Sequence, residues 1–166
     1  MKIPAVVACV TLAACAASPH DHSAYAGQQD RAIKALSEQD VAGYRTGAGM
    51  GLAKAAELNG YPGPMHSLES AKELGLTSAQ QEELGELMRA HKEEARHLGA
   101  EVIRLEGELD ALFAKHAATP EAVDAKLAQI ASAQASLRAS HLKAHLATTA
   151  LLTPEQIDRY QHARGY

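Results

Sequence analysis

Apolar and small residues recur at alternating steps of three and four along residues 77–117, a stretch without proline and with few glycines. The positions on this stripe are Leu84, Leu87, His91, Ala95, Leu98, Val102, Leu105, Leu109 and Leu112. The alternation resumes after the turn sequence "AATPE", at Val123, Leu127, Ile130, Gln134, Leu137, His141, Ala144, Thr148 and Leu151. A 3.5-residue period is typical of helices in left-handed packing, and a short turn makes the two helices antiparallel neighbours. The sequence therefore predicts a long antiparallel helical hairpin.

The composition agrees with an all-α fold. Aromatic residues are 4% of the chain, with one Phe and no Trp, so the core must consist mainly of Leu and Ala. No segment alternates like a strand. Shorter helices are expected within residues 31–60 and from Met65 to Leu74. A helix of roughly 40 residues is a rod on the order of 60 Å long. Because such a rod cannot enclose a core by itself, we expect a second copy of the chain to cover it as a homodimer.

The N-terminus has the pattern of an export signal. One Lys precedes an apolar run over residues 3–14, and Leu12-Ala13-Ala14-Cys15 resembles the bacterial lipobox. This reading makes residues 1–14 a lipoprotein signal peptide, Cys15 the lipidated N-terminus, 15–30 a flexible tether and 31–166 the helical domain. It predicts a periplasmic protein held at a membrane by its lipid, with the outer membrane favoured. The alternative is plain secretion with cleavage after Ala26.

Charge and motifs exclude several functions. The net charge is −4 with no basic run, so the chain lacks the footprint of a nucleic-acid-binding protein. It contains no Gly-x-Ser-x-Gly elbow and no His-Glu-x-x-His motif. We therefore expect a protein that is not an enzyme and requires no cofactor.

The sequence Leu-Thr-x-x-Gln occurs twice, at residues 76–80 and 152–156. In each copy the Thr is suited to cap a helix start, and the Gln three residues later can return a hydrogen bond to the Thr amide. The motif residues are Leu76, Thr77, Gln80, Leu152, Thr153 and Gln156. Both copies therefore predict a capping box at the start of a helix.

Two such starts bracketing a long hairpin in a small exported chain resemble the Spy/CpxP family of periplasmic proteins, over roughly residues 47–163. That family includes zinc-resistance-associated proteins and periplasmic heavy-metal sensors. The resemblance implies an all-helical, cradle-like dimer. It also implies either ATP-independent chaperoning of unfolded envelope proteins or binding of a heavy metal, with a membrane signalling partner as an alternative to the unfolded clients. The lipobox and the lack of a basic cradle distinguish this chain from the chaperone members.

Four residues are candidate metal ligands: His91, Glu94, His141 and His145. His141 and His145 are four apart on one helix face, and a hairpin turn between His116 and Pro120 would place His91 across from His145. Imidazole and carboxylate ligands suit zinc, nickel, cobalt or copper(II). The alternative is that His91 and His141 only fill the helix seam. Additional donors are the tether pair His20 and His22, His66, and three methionines for which helix packing is the more ordinary role, Met50, Met65 and Met88.

Overall fold

A computed structural model describes residues 24–166, which contain helices and no strand. The helices are α1 (Glu38–Thr46), α2 (Lys54–Glu57), α3 (Pro64–Glu69), α4 (Ala71–Leu74), α5 (Ser78–Ala114), α6 (Pro120–Leu151) and α7 (Pro154–Arg164). Helices α5 and α6 pack along each other as an antiparallel hairpin. The predicted all-α fold and its long hairpin are therefore confirmed.

The helix starts lie where the capping motifs place them. Thr77 and Thr153 each accept a hydrogen bond from the backbone N–H of the Gln three residues on, and each Gln side chain accepts from the Thr amide. Thr119 caps α6 in the same way, with Pro120 at the first helical position. A third capping box, Ser37 with Asp40, starts α1 and was not predicted from the sequence. Residues 31–37, expected to be helical, therefore remain outside the helix.

The hairpin seam forms the larger of two apolar cores. Its buried members are Ala95, Val102, Leu105, Ile130, Ala133 and Leu137. Along α5 the buried positions follow the predicted stripe, whereas in α6 Leu127 and Gln134 are exposed and Ala133 is buried in their stead. The stripe on α6 therefore rotates away from its predicted positions near the turn.

The register of the hairpin differs from the prediction by about half a helical turn to one turn. Helix α5 ends at Ala114, and His116 adopts a left-handed conformation with φ 52° in the connection. Because the helix ends before His116, the turn lies earlier in the chain, and residues of α5 meet earlier residues of α6. His91 consequently contacts Ser140 and His141, and the prediction that it lies across from His145 is wrong.

The N-terminal helices of the same chain cover part of the hairpin. Helix α1 packs on α5 where Gly99 removes a side chain, since a Cβ there would overlap the backbone of Tyr44. Tyr44 and Leu52 pack against the seam core. Part of the cover that was expected from a second copy therefore comes from the chain itself.

A second core lies at the open end of the hairpin, where α4 and α7 meet. It comprises Leu74, Leu76, Leu84, Leu152 and Tyr160. Between the two motifs, Gln80 Nε2 donates to Gln156 Oε1 at 2.8 Å and Gln156 Nε2 donates to Gln80 Oε1 at 3.0 Å. Each Gln also donates to the carbonyl just before the other motif, Leu151 O or Gly75 O. The two motifs therefore bind each other with approximate two-fold symmetry.

Across residues 24–166, the helices lack the combination of length and apolar character that crossing a bilayer requires. The predicted signal peptide, Cys15, and the tether histidines His20 and His22 lie outside the described residues.

Candidate metal centre

Three predicted ligands belong to one chain of hydrogen bonds between the two long helices. Ser140 Oγ donates to Glu94 Oε2 at 2.8 Å. His91 Nδ1 lies 3.2 Å from Ser140 Oγ, and His91 Nε2 lies 3.2 Å from His141 Nδ1. The two imidazoles meet edge to face, with ring centroids 4.6 Å apart. The structure thus brings His91, Glu94 and His141 together, with Ser140 as a link that the sequence analysis did not include.

Hydrogen-bond chemistry assigns the protons in this chain. A carboxylate only accepts, so the single hydroxyl proton of Ser140 is committed to Glu94, and Ser140 Oγ must accept from His91 Nδ1–H. A neutral His91 then has a lone pair on Nε2, which accepts from His141 Nδ1–H. A neutral His141 is left with a lone pair on Nε2.

Burial keeps both rings neutral. Burial, together with the neighbouring imidazoles of His91 and His145, lowers the pKa of His141 to about 4. Burial also lowers the pKa of His91, with Glu94 acting in the opposite direction. Both imidazoles are therefore uncharged near neutral pH, the state in which His binds metals.

Among the buried polar side-chain atoms of residues 24–166, only His141 Nε2 has no hydrogen-bond partner. The residue is 4% exposed, so bulk solvent does not reach this atom. A buried polar atom without a partner costs about 1–3 kcal/mol. A cation bound to this lone pair would remove that cost.

His145 lies one turn further along α6, and its ring has the same tautomer as His141. Its Nδ1 is 2.7 Å from the carbonyl oxygen of Tyr61, and a carbonyl only accepts. The proton is therefore on Nδ1 and a neutral His145 has its lone pair on Nε2. A Cβ at Gly63 would lie 2.9 Å from the ring, so this glycine makes room for it. His141 and His145 thus share a pattern typical of metal ligands, with Nδ1–H donated to a protein group.

An open cleft of about 520 Å³ adjoins these rings. Its lining combines imidazoles with thioethers: Met50, Met65, Met88, His91, His141 and His145. We call this the histidine–methionine cleft. His66 also lines it, with Nδ1 2.8 Å from Glu69 Oε2. Glu94, by contrast, reaches the imidazoles only through Ser140.

No sequence pattern predicts that the methionines share one cleft. They lie on α3, on α5 and in the segment before α2, and no periodicity relates these elements. As the side chains stand, residues 24–166 contain no set of three His, Cys, Asp or Glu residues arranged to hold one ion. The predicted set of His91, Glu94, His141 and His145 as direct ligands stays a prediction.

Glu57 connects the cleft to the C-terminal helix. Its Oε1 accepts from the Tyr160 hydroxyl at 2.7 Å and from Arg164 Nε at 3.3 Å, and its Oε2 lies 3.6 Å from His145 Nδ1. Burial and the Glu57 carboxylate raise the pKa of Tyr160, so its hydroxyl keeps its proton. This network fixes α7 beside His145.

Comparison with known proteins identifies the family. No curated protein and no solved structure matches the chain. The sequence model of the heavy-metal resistance family matches residues 41–159, well over half of the chain, including the histidines and methionines that line the cleft. That family lies within the Spy/CpxP-like group, whereas narrower membership in Spy/CpxP itself stays a prediction. The chain belongs to the heavy-metal resistance family.

Proposed function

We propose that this protein binds a transition-metal cation through the Nε2 atoms of His141 and His145, as a non-enzymatic component of heavy-metal resistance at the cell envelope. The observation that carries the proposal is the buried His141 Nε2, which has a lone pair and no partner within residues 24–166. His91, Ser140 and Glu94 would act behind it by fixing the tautomer of His141. Family membership supports metal as the ligand.

Metal handling is preferred over chaperoning of unfolded envelope proteins. The family is described by heavy-metal resistance, and the description says nothing of unfolded clients. A chaperone role would also leave the unpartnered imidazole unexplained. Suppression of client aggregation by the metal-free protein, unchanged in a His141→Ala variant, would favour the chaperone role.

The direct test is metal-linked stability. Zn²⁺ or Ni²⁺ added to the full chain with Cys9→Ser and Cys15→Ser should raise Tm, because the unfolded chain does not hold the ligands together. His141→Ala and His145→Ala should each remove most of that increase. His162→Ala is the matched control, since its Nδ1 only contacts the Asp158 carbonyl of its own helix. Equal increases in all four proteins would refute the site.

We also propose that the protein is a homodimer. Large apolar side chains on the hairpin remain exposed in the single chain, including Phe113 (58%), Leu127 (48%) and Leu146 (55%), so a partner surface is available. Leu146→Glu should shift the sedimentation coefficient towards the monomer value without loss of helicity. A charge at a seam position such as Leu105 would not test the dimer, because Leu105 lies in the core of the single chain.

A further inference from the structure

The methionines of the histidine–methionine cleft point to the class of ion. Three thioethers line the same space as the imidazoles. Thioethers are soft ligands that select copper(I), whereas zinc, nickel and cobalt prefer imidazole and harder donors. We propose that the histidine–methionine cleft binds a soft monovalent cation, copper(I) or silver(I), between the thioethers of Met50, Met65 and Met88 and the Nε2 atoms of His141 and His145. This inference rests on the proposed function and narrows its ligand.

Packing of its side chain alone does not explain why Met50 occupies its position. It has a left-handed backbone with φ 46°, between Gly49 and Gly51, where a third glycine would avoid the strain. Its side chain is 41% exposed, so it adds little to the core. A Cβ at Gly43 would lie 2.6 Å from Met50 Sδ, so helix α1 lacks a side chain where the sulfur rests. The fold thus retains a strained, exposed thioether at the cleft.

Of the other two methionines, Met65 is about as exposed as Met50 and Met88 is less exposed. Met65 is 43% exposed at the second position of α3, and Met88 is partly buried on α5, one turn before His91. A methionine has three rotatable side-chain bonds, so its sulfur reaches a bound ion without movement of the backbone.

The charge of the lining favours a monovalent ion. Glu57 is the single Asp or Glu among the described residues that line the cleft, against Lys54, Lys92 and Arg164. Its Oε1 already accepts from Tyr160 and Arg164. Repulsion from the basic side chains doubles for a divalent ion. Beyond Glu57, no Asp or Glu side chain among the described residues of this lining would compensate a second charge.

The test compares silver(I), copper(I) and Zn²⁺ on the full chain with Cys9→Ser and Cys15→Ser, which removes both thiols. Silver(I) is the redox-stable probe, and copper(I) is supplied from a competing chromophoric chelator under a reductant. The triple variant Met50→Leu, Met65→Leu and Met88→Leu keeps the side chains apolar and similar in size. Leu127→Met, which adds a thioether at an exposed position outside the cleft, is the control.

We expect the triple variant to bind silver(I) and copper(I) about tenfold or more weakly, with Zn²⁺ affinity within about twofold of the parent. X-ray absorption at the copper edge should show sulfur neighbours in the parent that the variant lacks. Unchanged silver(I) affinity in the triple variant, with Zn²⁺ still bound through His141 and His145, would overturn this inference and leave the proposed function standing. Absence of binding by all three ions in the parent would overturn both. A rise in silver(I) affinity in the Leu127→Met control as large as the loss in the triple variant would also count against the cleft.

Discussion

Gln80 and Gln156 donate hydrogen bonds to each other through their carboxamides, at 2.8 and 3.0 Å, although 75 residues separate them in the chain. Each side chain also closes the capping box of its own helix. One amide group thus serves a helix start and a tertiary contact at once. The repeated motif has therefore a structural role beyond ordinary capping, which is to hold the start of α5 against the start of α7.

The two glutamines should be energetically coupled. Gln156→Ala removes its bonds to Gln80 and Gly75 and leaves the Gln80 amide without that partner, so we expect a loss of about 1–3 kcal/mol in the free energy of unfolding. Denaturant unfolding of both single variants and the double variant should give a coupling energy of about 1 kcal/mol. Gln134→Ala, at an exposed site on α6, should change little. Additive losses would show that the paired amides do not stabilise the fold.

Two glycines within α5 should respond in opposite directions to alanine. A Cβ at Gly85 meets no atom within 4 Å, so Gly85→Ala should stabilise the helix by about 0.5–1 kcal/mol. A Cβ at Gly99 would overlap the Tyr44 backbone, so Gly99→Ala should displace α1 and cost about 1–3 kcal/mol. Thermal unfolding of both variants is the measurement. Stabilisation by both substitutions would contradict the packing of α1 on α5.

Acid should destabilise the metal-free protein through His141. Its pKa is about 4 in the fold and about 6.5 in the unfolded chain, so the unfolded chain takes up the proton first as the pH falls. The free energy of unfolding should therefore drop by about 2 kcal/mol between about pH 7 and 5, and the lowered pKa of His91 acts in the same direction. Urea unfolding in the presence of a chelator measures this. His141→Leu should flatten the dependence and His162→Ala should keep it; equal slopes in both would remove His141 as the cause.

Ser140 should control the tautomer of His141 without binding metal. Ser140→Ala breaks the link between Glu94 and His91, so the Nδ1–H form of His141 should lose population and metal affinity should fall roughly tenfold. Long-range ¹H–¹⁵N spectra report the tautomer, and titration reports the affinity. Ser136→Ala is the matched control one turn earlier on α6, where the hydroxyl only contacts the Ser132 carbonyl. An unchanged tautomer in Ser140→Ala would show that the hydrogen-bond chain does not orient His141.

The N-terminal anchor gives a cellular prediction. If Cys15 is lipidated, Cys15→Ser should move the protein from the membrane fraction to the soluble periplasm. Fractionation followed by immunoblotting measures the change, and Cys9→Ser, within the predicted signal peptide, is the control. Recovery of both variants in the soluble fraction would instead favour plain secretion with cleavage after Ala26, and equal membrane retention of both would show that Cys15 is not the anchor.

The sequence by itself determined the helices and their pairing into a hairpin. Thr77, Thr119 and Thr153 begin helices because capping acts over three or four residues. The stripe from Leu84 to Leu105 is buried or partly buried because helical periodicity is local. Such signals are complete within one turn or one face, so they can be recognised without any tertiary information.

Only the tertiary structure decided what those helices bring together. The end of α5 at Ala114 shifts the register by about half a helical turn to one turn, which pairs His91 with His141 and directs His145 to the Tyr61 carbonyl. Likewise, Met50 and Met65 line the same cleft as the imidazoles because the segment before α5 folds back over the hairpin. These contacts depend on where a turn ends and how distant segments pack, and no local pattern encodes a distance between such segments.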